Sequence, residues 1–303
     1  MDTDVLVVGE ALIDIVAGED GDRELVGGSP ANVAVGLARQ GHGTRLLTRV
    51  GDDERGRRIA EQIGRSGARL DERSFSGEPT STARARLRAD GSAEYDFAIT
   101  WDVPAITADD LRGVRAVRAV HTGSIALFLE PGGTAVLETL RAARTAGAIV
   151  SVDPNIRPAL VGDHAAALAR FGEAAASADL VKLSDEDAHW LYPDLDDEEV
   201  LDEIAALGPR LVVLTRGAEG LLARGPHGLV ESAPLVVTVA DTIGAGDAAM
   251  ASLVSSALDD DRLFTSPDAL EAALRRAAVT AGITVSRAGA NPPTRAEVDA
   301  RLG

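Results

Sequence analysis

Two periodicities alternate along the chain. Short β-branched apolar runs at Val5–Val8, Arg45–Val50, Ala119–Gly123, Ile149–Asp153, Leu180–Leu183 and Leu211–Thr215 predict strands buried on both faces. Longer Ala-, Leu- and Arg-rich segments of helical period separate them. These predict helices at Asn32–Arg39, Asp53–Ser66, Gly133–Thr145, Ala165–Ala176, Glu198–Ala206, Ala245–Ala257 and Pro267–Ser286. A repeating β-α order predicts an α/β fold with a mostly parallel central sheet and helices on both faces. One stretch breaks the rhythm. In Ala83–Thr100, alternation on either side of Asp90–Gly91 predicts a hairpin. Paired with a strand from Ile15–Val26, itself interrupted by a Gly-Asp turn, it forms a small β lid flanked by Gly27 and Gly28. No internal repeat, low-complexity tract or linker interrupts the pattern. The expectation is one domain over residues 1–303, with lid segments near 15–27 and 83–101.

Charge and composition narrow the chemistry. The chain has 30 Lys and Arg against 48 Asp and Glu, a net charge of −18. Its averaged field repels nucleic acid and anionic membranes, so an anion must be held at a local positive spot. No apolar run reaches the ~18 residues of a membrane span, and acidic residues stand where a secretory signal carries basic ones. A cytoplasmic protein with no nucleic-acid or membrane partner is expected. With no cysteine, disulfides, thiolate metal sites and cysteine nucleophiles are excluded. The five histidines fall outside any HxxxH or HExxH spacing, which removes a histidine-ligated zinc site. The one lysine, Lys182, is not part of a GxxxxGK motif, so any ATP is handled without a P-loop. No GxGxxG follows Val5–Val8, which argues against a nicotinamide dehydrogenase.

The strongest chemical signal is Asp241-Thr242-Ile243-Gly244-Ala245-Gly246-Asp247, directly followed by a small-residue apolar helix. Glycines 244 and 246 allow a close turn, and the opening helix turn leaves N–H groups free to cradle a phosphate. Asp247, inside that cradle, is placed to take a proton from an incoming hydroxyl. A bare GxGD reads more readily as a strand-to-helix turn with a first-turn acid favoured by the dipole. Six specified positions in seven arise by chance in a chain of this length with a probability on the order of 10⁻⁵ to 10⁻⁴, which favours function.

That heptapeptide resembles the carboxy-terminal signature of the ribokinase-like (PfkB) carbohydrate kinases, and Gly27-Gly28-Ser29-Pro30-Ala31-Asn32-Val33-Ala34 resembles their amino-terminal one. GEALIDI at 9–15, RVGDDERG at 49–56, DPNIR at 153–157, LTRGAEG at 214–220 and SRAGANPP at 286–293 follow in the family's order. The resemblance implies an ATP-dependent sugar kinase. In it Asp247 is the base, the amides of Gly244, Ala245 and Gly246 form the anion hole, and Asp14, Gly27, Gly28, Asn32 and Asn155 surround the sugar. It places Arg157 against substrate or transferring phosphate, where a planar guanidinium spreads charge well.

For the nucleotide, the resemblance implies Thr215, Gly217 and Gly220 together with Gly244 and Gly246; alone, TxGxxG reads equally as a turn. Asp241 and the backbone of Ile243 resemble the family's monovalent-cation loop, completed near Arg287–Asn291, which brings in potassium. Magnesium follows from ATP chemistry. The family's NxxE pattern becomes Ser184-Asp185-Glu186-Asp187 here, leaving the Mg²⁺ role open between Asp187 and Glu186. The likeness is to fructokinases and 2-keto-3-deoxygluconate kinases, with fructose the first choice. Another sugar or a nucleoside, or a non-catalytic sugar sensor on the same fold, are the alternatives. Where fructokinase-like members carry a basic residue after the lid strands, this chain has Thr100-Trp101-Asp102. Trp101 either stacks on the sugar or packs under the lid. A homodimer through exposed lid edges is the assembly such a sheet allows.

Overall fold

The computed structural model describes residues 4–16, 21–87, 93–113 and 116–303. In chain order the strands are β1 (Val5–Val8), β2 (Leu12–Val16), β3 (Arg23–Gly27), β4 (Thr44–Leu47), β5 (Val50–Gly51), β6 (Arg69–Leu70), β7 (Phe75–Ser76), β8 (Thr82–Leu87), β9 (Ala93–Ala98), β10 (Ala119–Gly123), β11 (Ile149–Asp153), β12 (Leu180–Ser184), β13 (Leu211–Thr215), β14 (Leu221–Gly225) and β15 (Gly228–Ser232). The helices are α1 (Ser29–Arg39), α2 (Glu54–Arg65), α3 (Ala108–Arg112), α4 (Gly132–Ala146), α5 (Pro158–Val161), α6 (His164–Ala175), α7 (Asp185–Leu191), α8 (Asp197–Ala206), α9 (Ala245–Asp259), α10 (Pro267–Val285) and α11 (Arg295–Leu302).

Nine strands form the central sheet in the order β15-β14-β13-β12-β11-β10-β1-β4-β6, parallel from β13 to β6. Alternation within the strands divides the core. Val5, Val7, Ala119, Leu180, Leu211 and Val213 pack on α1, α9 and α10, while Leu6, Val8, Val120, Val152, Val181 and Leu214 pack on α4, α6 and α8. Because both faces are covered, the strands read as unbroken apolar runs. Helix α9 is buried almost all round, and its small side chains let α1 and α10 close on it. A Cβ on Gly36 of α1 would lie 2.6 Å from the Ala251 Cβ, so only glycine permits this approach.

A separate four-stranded sheet has the order β3-β2-β8-β9, with β2 parallel to β8 and the outer pairs antiparallel. This is the expected lid, and it begins at Leu12 rather than Ile15. The Asp90–Gly91 turn lies outside the described residues. Three features depart from expectation. The strand expected over Arg45–Val50 stops at Leu47, because Thr48 bonds by side chain and backbone to Ala11 N–H (2.9 Å) and Ser74 Oγ (3.1 Å) instead of the ladder. The β-α alternation ends at β13, since β14 and β15 form an antiparallel edge. Helices α3, α5, α7 and α11 join the expected set, and α3, α7 and α11 are each opened by a capping box. Among the described residues, no helix is long and apolar enough to cross a membrane.

Candidate active site

The carboxyl ends of β1, β10, β11 and β12 point toward the amino terminus of α9, where open α/β sheets hold their ligands. Gly244 caps α9 with φ 76°, and a side chain there would meet the Ala290 Cβ at 2.7 Å. The N–H groups of Gly244, Gly246 and Asp247 meet no acceptor among the described residues, whereas Ala245 N–H makes a long 3.3 Å bond to the Thr242 carbonyl. The free donors are thus shifted slightly from the expected trio, with the N–H of Asp247 beside that of Gly246.

Asp247 is 8% exposed and held by two donors from α1. Its Oδ1 accepts from Ser29 Oγ at 2.6 Å, and its Oδ2 accepts from Asn32 Nδ2 at 2.8 Å. The two signature loops therefore meet at one carboxylate. Burial raises the pKa of Asp247, while those hydrogen bonds and the charges of Lys182 and Arg157 pull it back. Each oxygen keeps a lone pair for an incoming hydroxyl proton.

Under the loop lies a buried polar row. Lys182 Nζ is 3.0 Å from Asp153 Oδ2, with side chains 3% and 2% exposed. A Cβ on Gly246 would be 3.3 Å from that ammonium. Burial works against the Lys182 charge, but the carboxylates of Asp153, Asp187 and Asp247 outweigh it and raise its pKa. The other Asp153 oxygen is buried without a partner. His121 Nδ1 lies 3.1 Å from Ser151 Oγ, and burial, then Lys182, depresses the imidazole to about 3, so it is neutral.

The lid contributes Asp14, whose carboxylate sits where a Gly27 side chain would be, 2.0 Å from that Cβ position. Burial raises its pKa and Arg157 opposes the rise. Asp14 has no side-chain hydrogen-bond partner among the described residues. Arg157 is exposed after β11, and among the described residues its guanidinium bonds only the carbonyls of Ile156 (2.9 Å) and Asn155 (3.3 Å). It is the local positive spot that a strongly acidic chain requires, acting on Glu10, Asp14 and Asp247 together. Asn155 beside it has φ 38°, a left-handed conformation that asparagine adopts more readily than other side-chain-bearing residues. Gly28 caps α1 against Glu10. Trp101 does not reach the cleft: it is 3% exposed in the apolar core, with Nε1 donating to the Ala126 carbonyl at 2.9 Å. Of its two expected roles, packing is the one this burial allows, because an indole enclosed in the core offers no face to a sugar.

The remaining candidates lie at the edges. Thr215 ends β13, and its hydroxyl donates to the Leu183 carbonyl at 3.4 Å. Gly217 and Gly220 make the tight turn into β14. Asp241 Oδ1 accepts from Ile243 N–H (3.0 Å) and Oδ2 from Gly289 N–H (2.9 Å), so it braces two loops expected to frame a monovalent cation. Asp187 is committed to the protein: Oδ1 accepts from Ile156 N–H (2.6 Å), and Oδ2 accepts from Ser184 N–H (3.0 Å) and Oγ (2.7 Å). Glu186 is exposed. Among the described residues, no three His, Asp or Glu side chains form a metal cage. The oxygen donors, with one Asp153 oxygen free, suit a hard Mg²⁺ carried mainly by nucleotide phosphates and water.

Sequence reasoning passed over Ser29, Asp153 and Lys182 as site residues. The available signal was positional, since Asp153 and Lys182 are polar side chains inside strands that otherwise read as buried.

Comparison with known proteins agrees with this geometry. The profile described as pfkB family carbohydrate kinase matches residues 2–297. Fructokinase-1 of Zea mays is 35% identical over 281 residues, covering 90% of this chain and 86% of the relative. The crystal structure of fructokinase with bound ATP from Xylella fastidiosa superposes with a TM-score of 0.88 at 25% identity, covering 99% and 98% of the two chains. A fructokinase double mutant from Vibrio cholerae O395, in its fructose-, ADP- and potassium-bound form, superposes with a TM-score of 0.84 at 26% identity over the full length of both. By fold, signature loops and full-length similarity, the chain belongs to the pfkB family of carbohydrate kinases.

Proposed function

We propose that this kinase uses ATP to phosphorylate fructose, with Asp247 as the general base. The observation that carries the reading is the Asp247 carboxylate, oriented by Ser29 and Asn32 beneath the unpaired amides of Gly246 and Asp247. In the proposed step, Asp247 accepts the proton of a primary sugar hydroxyl as its oxygen attacks the γ-phosphorus. The bond from the γ-phosphorus to the bridging oxygen then breaks and ADP leaves. The amide cradle and Arg157 meet the charge on the phosphoryl oxygens. Asp14 and Asn32 fix the sugar hydroxyls, and the lid keeps water away from the reacting centre.

Mg²⁺ bound with the nucleotide would neutralise phosphate charge, and potassium would occupy the loops braced by Asp241. Fructose is favoured because relatives similar over nearly the full length, including those from Zea mays and Xylella fastidiosa, are fructokinases. A panel of hexoses, pentoses, ketodeoxy acids and nucleosides, assayed for ADP release, tests the reading. Fructose should give the highest kcat/KM; a flat panel overturns the kinase reading, and a different winner overturns the acceptor. A homodimer through the lid is proposed on the exposed Leu25 and Val16, and light scattering decides it.

A further inference from the structure

Four stretches of chain cross between the body and the lid: Gly9–Ala11, Gly27–Gly28, residues 77–81 and residues 99–107. Glu10 lies in the first, 5% exposed, at the carboxyl end of β1, which has β4 on one side and β10 on the other. Its main-chain carbonyl packs on the second crossing, 2.4 Å from where a Gly28 Cβ would stand. Its side chain spans the gap to the turn Ser124–Leu127 after β10. There Oε2 accepts the Ala126 N–H at 3.3 Å, and Ser124 also hydrogen-bonds the carboxyl. The same turn holds the fourth crossing, because the Ala126 carbonyl accepts from Trp101 Nε1 at 2.9 Å. Ser124 itself has φ 56°, a left-handed conformation that needs support from its surroundings.

Three of the four crossings therefore meet at one acid and the turn it bonds, and the transfer chemistry does not use that acid. A buried carboxyl without an ion pair is costly, and what it supplies here is geometry. Asp14 stands four residues further along the same chain segment, on lid strand β2.

We infer that Glu10 is the positioning residue of the lid hinge: its carboxyl ties the crossing before β2 and the crossing after β9 to one turn, so that Asp14 meets the acceptor in register with Asp247. The inference rests on the kinase reading but concerns how the lid is held.

The test compares Glu10→Ala with the conservative Glu10→Gln, which keeps an oxygen for Ala126. Glu10→Ala should raise the sugar KM about tenfold, the scale of one lost hydrogen bond to a carboxylate, and leave kcat at saturating sugar nearly unchanged. Amide exchange over residues 12–16 and 82–87 should quicken, and Glu10→Gln should restore most of both. An unchanged KM and unchanged exchange in Glu10→Ala overturn the inference. So does a collapse of kcat as deep in Glu10→Gln as in Asp247→Asn, because the acid would then serve the chemistry. If Glu10→Ala fails to fold, Trp101→Phe, which removes the donor to Ala126 together with part of the buried ring at the fourth crossing, should show the same KM and exchange shifts, and their absence overturns the inference. If no sugar is turned over by the unmodified protein, the kinase reading fails while the exchange measurement still tests the hinge.

Discussion

The two faces of the central sheet come from the same strands and differ in the charged side chains they bury. On one, Val120, Val150, Val152, Val181 and Leu183 meet α4, α6 and α8 in an apolar layer. On the other, Ala119, Leu180 and Val213 pack apolar, but His121, Ser151, Asp153 and Lys182 stand among them as a polar group below the first turn of α9. Taking an ion out of water costs several kcal/mol. Placing that cost beside Asp247 supports the reading of the group as part of the proposed site.

The deepest cut into this contrast is Asp247→Asn. It should retain sugar binding by calorimetry and lose about 10²–10⁴ in kcat; near-normal turnover would end the assignment. Lys182→Met comes next. It strands Asp153 without its partner and should cost about 3–5 kcal/mol of stability. It also removes a charge that lowers the Asp247 pKa, so the acid limb of kcat/KM should move to higher pH. Adding Asp153→Leu should recover much of the stability without recovering kcat; recovery of both would make the row structural.

On the apolar face, Leu140→Ala should cost about 2–5 kcal/mol in urea unfolding, with kcat per folded molecule unchanged. Glu10 gives a subtler signal, because burial holds its carboxyl near 7, above the usual 4.5. Between these values the folded state binds the proton more tightly, so this contribution is complete below pH 4.5 and lost as pH rises through 7. Glu10→Gln should flatten that slope by up to about 3 kcal/mol, read from unfolding at pH 5 and pH 8. Smallest is Glu24→Ala, which removes the carboxylate that pairs Arg55 and Arg58 of α2 with the lid strand β3 but keeps the main-chain carbonyl that Arg58 also bonds. A partly exposed cluster of this kind should change stability by less than about 1 kcal/mol, and less again in high salt.

Much of the architecture was legible because parallel strands covered on both sides leave runs with one meaning. Val5–Val8, Ala119–Gly123, Ile149–Asp153 and Leu211–Thr215 fall at the expected boundaries. The β14–β15 edge was hidden by its glycines, which look like the turn they also make. Helix α11 buries only Val298, too little to mark a periodic face. In the site, contiguous motifs placed Asn32 and Asp247 in candidate roles, and the structure brings them together. Lys182 and Glu10 matter through what stands opposite them across the sheet or hinge, and neighbouring letters carry no record of that. Trp101 shows the converse, a residue whose chemistry suited a sugar and whose burial serves the core.

The carboxylate clasped by Ser29 and Asn32 joins positions 218 residues apart. At ordinary translation speeds, a ribosome needs roughly 10 to 40 s to cover that distance. During that interval a growing chain can shape the serine and asparagine loop, yet under the proposed mechanism it has no group to receive the proton. Phosphoryl transfer must switch on late in synthesis, and a fragment cut short before α9 should be inert however well its sheet has formed.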